Sequence, residues 1–208
     1  MARYTGPACR LCRRAGGKLF LKGERCFTPR CSVERRRAPP GEQSRRRRRV
    51  SDRGVQLREK QKARVIYGVL ERQFRGYFAV AQKNPNATGQ VLLQILEQRL
   101  DNVVYRLDFA ESRQQARQLV RHGHIFIGGH KVNIPSYMVK PEEVIGWKQS
   151  SQEKDFAKVL AAGIPRKSVP GWLSLDTETL TGRVLRLPEA GDVENIIEPR
   201  LIVEWYSK

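Results

Sequence analysis

Four cysteines carry the clearest capacity for chemistry in this chain. Cys9-x2-Cys12 and Cys26-x4-Cys31 are separated by thirteen residues, and two such knuckles joined by a loop let four thiolates converge tetrahedrally on one zinc ion. No signal peptide is evident, so a reducing compartment is expected, and there such a set serves a metal in preference to disulfides. An iron–sulfur cluster or a redox pair would use the same residues and ranks below zinc. Flanking arginines are expected to lower the thiol pKa values by favouring thiolates. Around the cysteines, Leu11, Leu19, Phe20, Leu21 and Phe27 offer only a miniature apolar cluster. Metal binding would supply what that cluster lacks, about 10–16 kcal/mol of apparent free energy in zinc-finger peptides.

The second chemical signal is cationic. Arg45, Arg46, Arg47, Arg48 and Arg49 follow one another directly; five adjacent guanidiniums repel, so the run is expected to lie extended until phosphates screen it. A third cluster falls between Ser112 and Val132. Ser112 reads as an N-cap with Gln115 closing a capping box, and Gly123 as the left-handed stop. On that helix Arg113, Arg117 and Arg121 fall within about 80° of one another, beside an apolar face of Ala116, Leu119 and Val120. Ile125-Phe126-Ile127 and His130-Lys131-Val132 then flank Gly128-Gly129, a pair suited to a type I′ turn. Arg113, Arg117 and Arg121 are expected to fork onto phosphates, with Lys131 adding a point charge and His122 a donor. His124 is expected to cap the helix end, and Tyr137 either to stack on a ribose or base or to join the core. Arg117→Ala is accordingly expected to weaken RNA binding without unfolding the domain. The helix carrying Arg58, Lys60, Lys62 and Arg64 is expected to add a further cationic face toward the same phosphates.

Charge is distributed in a gradient. Residues 1–50 carry 16 Lys and Arg against 3 acids, residues 51–140 carry 15 against 7, and residues 141–208 carry 9 against 11. The net charge of +19 thus belongs to the first two thirds, which implies an anionic partner there. Nucleic acid is favoured over membrane, because no long apolar run or aromatic-anchored amphipathic face accompanies the basic segments. An RNA-modifying enzyme would need a nucleophile or general acid set in a pocket, and no P-loop, GxGxxG, HExxH or Cys/His dyad signature is present. A zinc-dependent DNA-binding regulator would need a groove-entering helix after the metal loop, yet Cys31 leads into arginine and proline.

The elements that must position these residues follow from periodicity. Ser51-Asp52 starts a helix running to Tyr67-Gly68. Phe74, Tyr77, Phe78 and Ala81 mark a second, broken at Asn84-Pro85-Asn86. Thr88 caps a third, with Val91, Leu92, Ile95, Leu96 and Leu100 as its stripe, and Asp101 opens a shorter one. Beyond Tyr137, Glu143–Trp147 reads as a third strand of a small sheet, and 156–162 as part of a helix. Trp172–Leu175, Val184–Leu187 and Leu201–Tyr206 read as three short β-like runs, with Trp172 and Trp205 as core.

The segment RLDNVVYRLDFAESRQQARQLVRHGHIFIGGHKVNIPSY, Arg99 to Tyr137, resembles the RNA-binding module named after the fourth protein of the bacterial small ribosomal subunit. MARYTGPACRLCRRAGGKLFLKGERC, PPGEQ, SDRGVQLREKQKARVIYGVLERQFRGYF and LIVEWYSK extend the likeness to that protein's family along essentially the whole chain. The resemblance implies a mostly helical α+β protein in three parts: a zinc module with an arginine-rich arm at 1–50, a helical body at 51–98 completed by 171–208, and the RNA-binding module at 99–170. It implies a cytoplasmic, non-enzymatic constituent of the small subunit that binds its rRNA early and contacts neighbouring ribosomal proteins. The four cysteines match the zinc set of the metal-containing branch. Arg45 to Arg49 fall where the family lines the channel through which mRNA enters, and influence on decoding accuracy and repression of its own messenger are further implied roles. Asp108 stands where the family commonly has Gly, a mild change because Asp tolerates left-handed geometry.

Overall fold

The computed structural model describes residues 4–36, 38–41, 50–152, 155, 158–159, 163–164, 167–193 and 196–207. Arg45 to Arg49, and most of the helix expected at 156–162, lie outside the described residues. Two compact units divide the chain, Met1–Leu92 with Glu194–Lys208, and Leu93–Val193.

In the first unit, α1 (Ala8–Ala15) begins after Pro7 and ends at Gly16, whose φ of 80° lets its N–H reach the carbonyls of Cys12 and Arg13. A 3-10 turn (Gly23–Cys26) and α2 (Ser32–Arg35) follow. Leu19 and Leu21 are buried, whereas Phe27 is 70% exposed and stacks on Phe20 with ring centroids 5.1 Å apart. The expected miniature cluster is therefore half a core and half a surface pair. Helix α3 (Asp52–Ile66) starts where the Ser51 hydroxyl accepts from the Gly54 N–H, and Gly68 closes it with φ 62°. In α4 (Glu71–Gln82), Phe74, Phe78 and Ala81 are buried. The C-terminal LIVEWY, expected as a strand, is instead helical and forms the last helix, α9 (Pro199–Tyr206). Pro199 sits in its first turn, where a missing N–H costs nothing. A six-residue apolar run does not itself distinguish strand from buried helix. Here α9 packs along α3, Ile202 is buried, and the Tyr206 ring lies 4.4 Å from that of Phe78. Helix α5 (Thr88–Glu97) crosses the boundary between the units in sequence.

The second unit holds α6 (Leu100–Arg106), α7 (Arg113–Arg121) and α8 (Gln149–Gln152) beside a five-stranded sheet. Its strands are β1 (Ile125–Ile127), β2 (His130–Lys131), β3 (Val144–Trp147), β4 (Leu173–Asp176) and β5 (Thr181–Val184). Their order is β2-β1-β3-β5-β4, antiparallel throughout, with Ile125 opposite Trp147 and Val144 opposite Arg183. This extends the three-strand sheet expected from sequence, and it moves the division of the chain. Residues 171–193, expected to complete the helical body, continue the sheet instead, and only the residues from Glu194 onward return to the first unit. The Val184–Leu187 run contributes only Val184 to a strand, and Leu185 and Leu187 are exposed. Leu100, Val103, Val104, Leu107, Ala116, Leu119 and Val120 from the helices meet Ile125, Ile127, Ile145, Trp147, Trp172 and Val184 from the sheet side in one core. Gly182 permits the closest approach, because a Cβ there would overlap the buried Leu107 side chain.

Candidate nucleic-acid interface

The helix and hairpin that position the site form for local reasons. The Ser112 side chain accepts from the Gln115 N–H at 3.3 Å, while the Gln115 side chain accepts from the N–H of Glu111 at 2.8 Å, one residue before the position a capping box uses. At the far end Gly123 has φ 72°, and the His124 N–H donates to the Leu119 carbonyl. Gly128 and Gly129 both take positive φ, 55° and 82°, as a type I′ turn requires. The His124 ring, expected to cap the helix, shares a 3.0 Å hydrogen bond with the buried Ser151 hydroxyl.

Two of the three arginines expected on phosphates are turned inward. Arg117 is 7% exposed and donates to Asp101 at 3.0 Å. Arg113 is 9% exposed, donates to Asn102 at 2.8 Å, and lays its guanidinium 4.4 Å over the Tyr105 ring. Asp101 also receives Arg99, and Glu97 receives both Arg106 and Asn102. The reason is helical drift: each i+4 step rotates about 40° around the axis. Arg113 and Arg117 stay on the flank facing the polar residues of α6, and only Arg121 clears it.

What faces solvent is a smaller, displaced cluster. Arg121, His122, His130, Lys131 and Lys148 are all exposed. Lys131 runs across Gly123, where any Cβ would meet its side chain, and the Lys148 N–H donates to the His124 carbonyl at 2.8 Å. The helix end, the hairpin and the end of β3 thus present their cations together. Sequence reasoning missed Lys148 and His130, although the pairing of Ile125 with Trp147 is what brings Lys148 beside His124. Tyr137 is half-buried and its hydroxyl donates to Glu143 at 2.6 Å. That hydrogen bond, then burial, pushes its pKa up.

On α3, Lys60 is 5% exposed and bonds Glu71 at 2.8 Å while lying 5.1 Å from the Trp205 ring centroid. Trp205 is consequently a half-buried partner of cations and not a core residue. Lys62 pairs with Glu59 at 3.0 Å and Arg64 with Glu71 at 2.8 Å. Of the four α3 cations expected on RNA, Arg58 alone is exposed.

Cys9, Cys12, Cys26 and Cys31 line one small cavity, none in a disulfide. Among the described residues no three Cys, His, Asp or Glu side chains are already drawn together as a metal-holding group. Burial, reinforced by the other cysteines, pushes the Cys12 and Cys26 thiols up, against the expectation that nearby arginines lower them. Lys22 N–H donates to the Cys26 sulfur at 3.4 Å.

Comparison with known proteins agrees with this two-part geometry. Residues 3–97 match the model for the Ribosomal protein S4/S9 N-terminal domain, and residues 98–145 match the S4 domain. The chain is 54% identical over 208 residues to small ribosomal subunit protein uS4A of Symbiobacterium thermophilum, covering 100% of both chains. It is 52% identical over 208 residues to uS4 of Heliobacterium modesticaldum and 55% over 210 residues to uS4 of Dictyoglomus turgidum, again over 100% of both. On identity and full-length coverage together, the chain belongs to the uS4 family of small ribosomal subunit proteins.

Proposed function

We propose that this chain is a structural, non-enzymatic constituent of the cytoplasmic small ribosomal subunit that binds its rRNA directly. The observation that carries the reading is the convergence of Arg121, His122, Lys131 and Lys148 on one exposed edge of a module in which Arg99, Arg106 and Arg117 are paired internally. Such an edge suits folded RNA, which displays phosphates and 2′-hydroxyls while its base edges are withdrawn into a deep groove. Arg121 forks onto a phosphate, Lys131 and Lys148 add point charges, and His122 donates to an oxygen. Arg58 supplies a phosphate contact from the other unit. Affinity of the purified chain for the 5′ region of small-subunit rRNA, against duplex DNA at matched salt, tests the assignment. Tight, specific rRNA binding is expected, and preference for duplex DNA would overturn it.

The cysteine cavity is read as a site for one zinc ion. Four thiols lining one cavity form a donor set suited to a closed structural site. Cys9, Cys12, Cys26 and Cys31 would hold the ion as thiolates, and the metal would tie α1 to α2 without taking part in any reaction. Metal binding also supplies the deprotonation that burial opposes at Cys12 and Cys26. The charge of Arg45 to Arg49 suits a nucleic-acid backbone, and it is the resemblance to the family that assigns the run to mRNA near the channel by which it enters the subunit. Contacts with neighbouring proteins, an influence on decoding accuracy and repression of the protein's own messenger are parts of the same reading.

A further inference from the structure

Helix α4 carries one acid and a row of exposed cations. Glu71, its one acid, is engaged by Lys60, Arg64 and the Tyr206 hydroxyl. Phe74, Phe78 and Ala81 fill the same side with buried apolar surface. Arg72, Arg75 and Lys83 are exposed, and none has an ion-pair partner among the described residues. At about 100° per residue these three, with Gly76 and Ala79 between them, occupy an arc of about 100°, Arg72 and Lys83 away from the buried side and Arg75 at its flank, four residues on from Glu71. Gly76 and Ala79 are also exposed, and nothing lies within 4 Å of the place a Cβ on Gly76 would occupy. No bulky side chain therefore interrupts the row. The contrast with α3 is what gives it meaning. Lys60, Lys62 and Arg64, which the sequence offers as RNA-binding, are each held by a carboxylate, whereas the α4 cations are left to an external partner.

We propose that the outer face of α4, through Arg72, Arg75 and Lys83, is a second RNA-backbone site in the first unit. The proposal rests on the rRNA-binding reading above. From first to last residue the row spans about 16 Å at 1.5 Å per residue. It contains only phosphate-seeking groups and no stacking aromatic, so it adds affinity and orientation and not base specificity.

The test uses the full chain carrying Arg72→Ala, Arg75→Ala and Lys83→Ala, titrated against the 5′ region of small-subunit rRNA over a range of salt. Three lost phosphate contacts should make the slope of log K against log salt shallower by about 2, with affinity down about tenfold or more near 100 mM salt. Thermal unfolding should be unchanged, and Arg72→Lys with Arg75→Lys should restore most of the slope. Arg200→Ala, on the exposed side of α9, is the control for net charge. An equal loss per charge from that variant would overturn the site. Unchanged affinity and slope in the triple variant, while Arg121→Ala still weakens binding, would overturn the α4 site and leave the function standing. Failure of the unmodified chain to bind rRNA would overturn both.

Discussion

At the scale of single residues, the structure divides arginines that look alike in sequence. Arg117 and Arg121 are one helical turn apart, yet Arg117 closes a buried pair with Asp101 and Arg121 faces solvent. Arg117→Ala would remove one of the two guanidiniums that hold Asp101, which is 3% exposed and keeps Arg99, so a stability loss of about 1.5–3 kcal/mol, the worth of a hydrogen bond to a charged group, is expected in urea unfolding. Arg121→Ala should leave the unfolding midpoint in place and weaken rRNA binding, the behaviour the sequence alone assigned to Arg117. Amphipathic spacing made the caps, the glycine stop and the apolar face of α7 legible. It left the destination of Arg113 and Arg117 hidden, because that depends on Asp101 and Asn102 arriving from α6. Glu71 gives a prediction in pH. Burial opposes its charge, but hydrogen bonds from Lys60 and Tyr206 and the positive charges of Lys60 and Arg64 outweigh it, so the carboxyl lies below its ordinary 4.5. A carboxyl lowered in the folded state stabilises fully above its unfolded pKa and loses that contribution as pH falls through the folded value. The difference in melting temperature between the unmodified chain and Glu71→Gln should therefore be largest above pH 4.5 and shrink on further acidification.

At the scale of elements, helices with caps and breakers were readable and the C-terminal third was not. Ser51, Gly68, Asn84-Pro85-Asn86 and Gly123 mark boundaries that the structure keeps within a residue or two. Asp108 adopts left-handed geometry with φ 60°, which an Asp tolerates better than most side chains. By contrast LIVEWY carries β-branched and aromatic residues and reads as a strand, until the docking of Ile202 and Tyr206 against the helical body selects a helix. The pairing of β5 with β3 was equally hidden, since it joins residues nearly forty apart and depends on Gly182 approaching Leu107. Gly182→Ala should force that contact apart and lower stability by about 1–3 kcal/mol, the cost of overpacking a filled core. Phe78→Ala, removing the ring beneath Tyr206, should cost about 3–5 kcal/mol by lost transfer energy and cavity formation. Both are read as shifts in the denaturation midpoint.

At the scale of the whole molecule, composition already pointed to an anionic partner, and the structure refines how the charge is used. Much of the basic character of the middle third is spent internally: Arg99, Arg106 and Arg117 meet Asp101 or Glu97, and Lys60, Lys62 and Arg64 meet Glu71 or Glu59. Among the described residues, Arg121, Lys131 and Lys148 in one unit and Arg58 in the other remain exposed for a partner, and binding through them should be strongly salt-dependent. The zinc proposal is also tested on the whole chain. One equivalent of zinc by elemental analysis is expected, with order lost in α1, α2 and the 3-10 turn between them on chelation, and a metal-free yet fully ordered segment would refute it. The central claim is that the chain recognises small-subunit rRNA through the exposed edge at Arg121, His122, Lys131 and Lys148. The most direct measurement is the affinity of the unmodified chain and of Arg121→Ala/Lys131→Ala/Lys148→Ala for the 5′ region of that rRNA across a salt series. The account predicts tight binding by the first, and for the second an unchanged fold with a slope shallower by about 2. Equal affinities and equal slopes for the two proteins would contradict it.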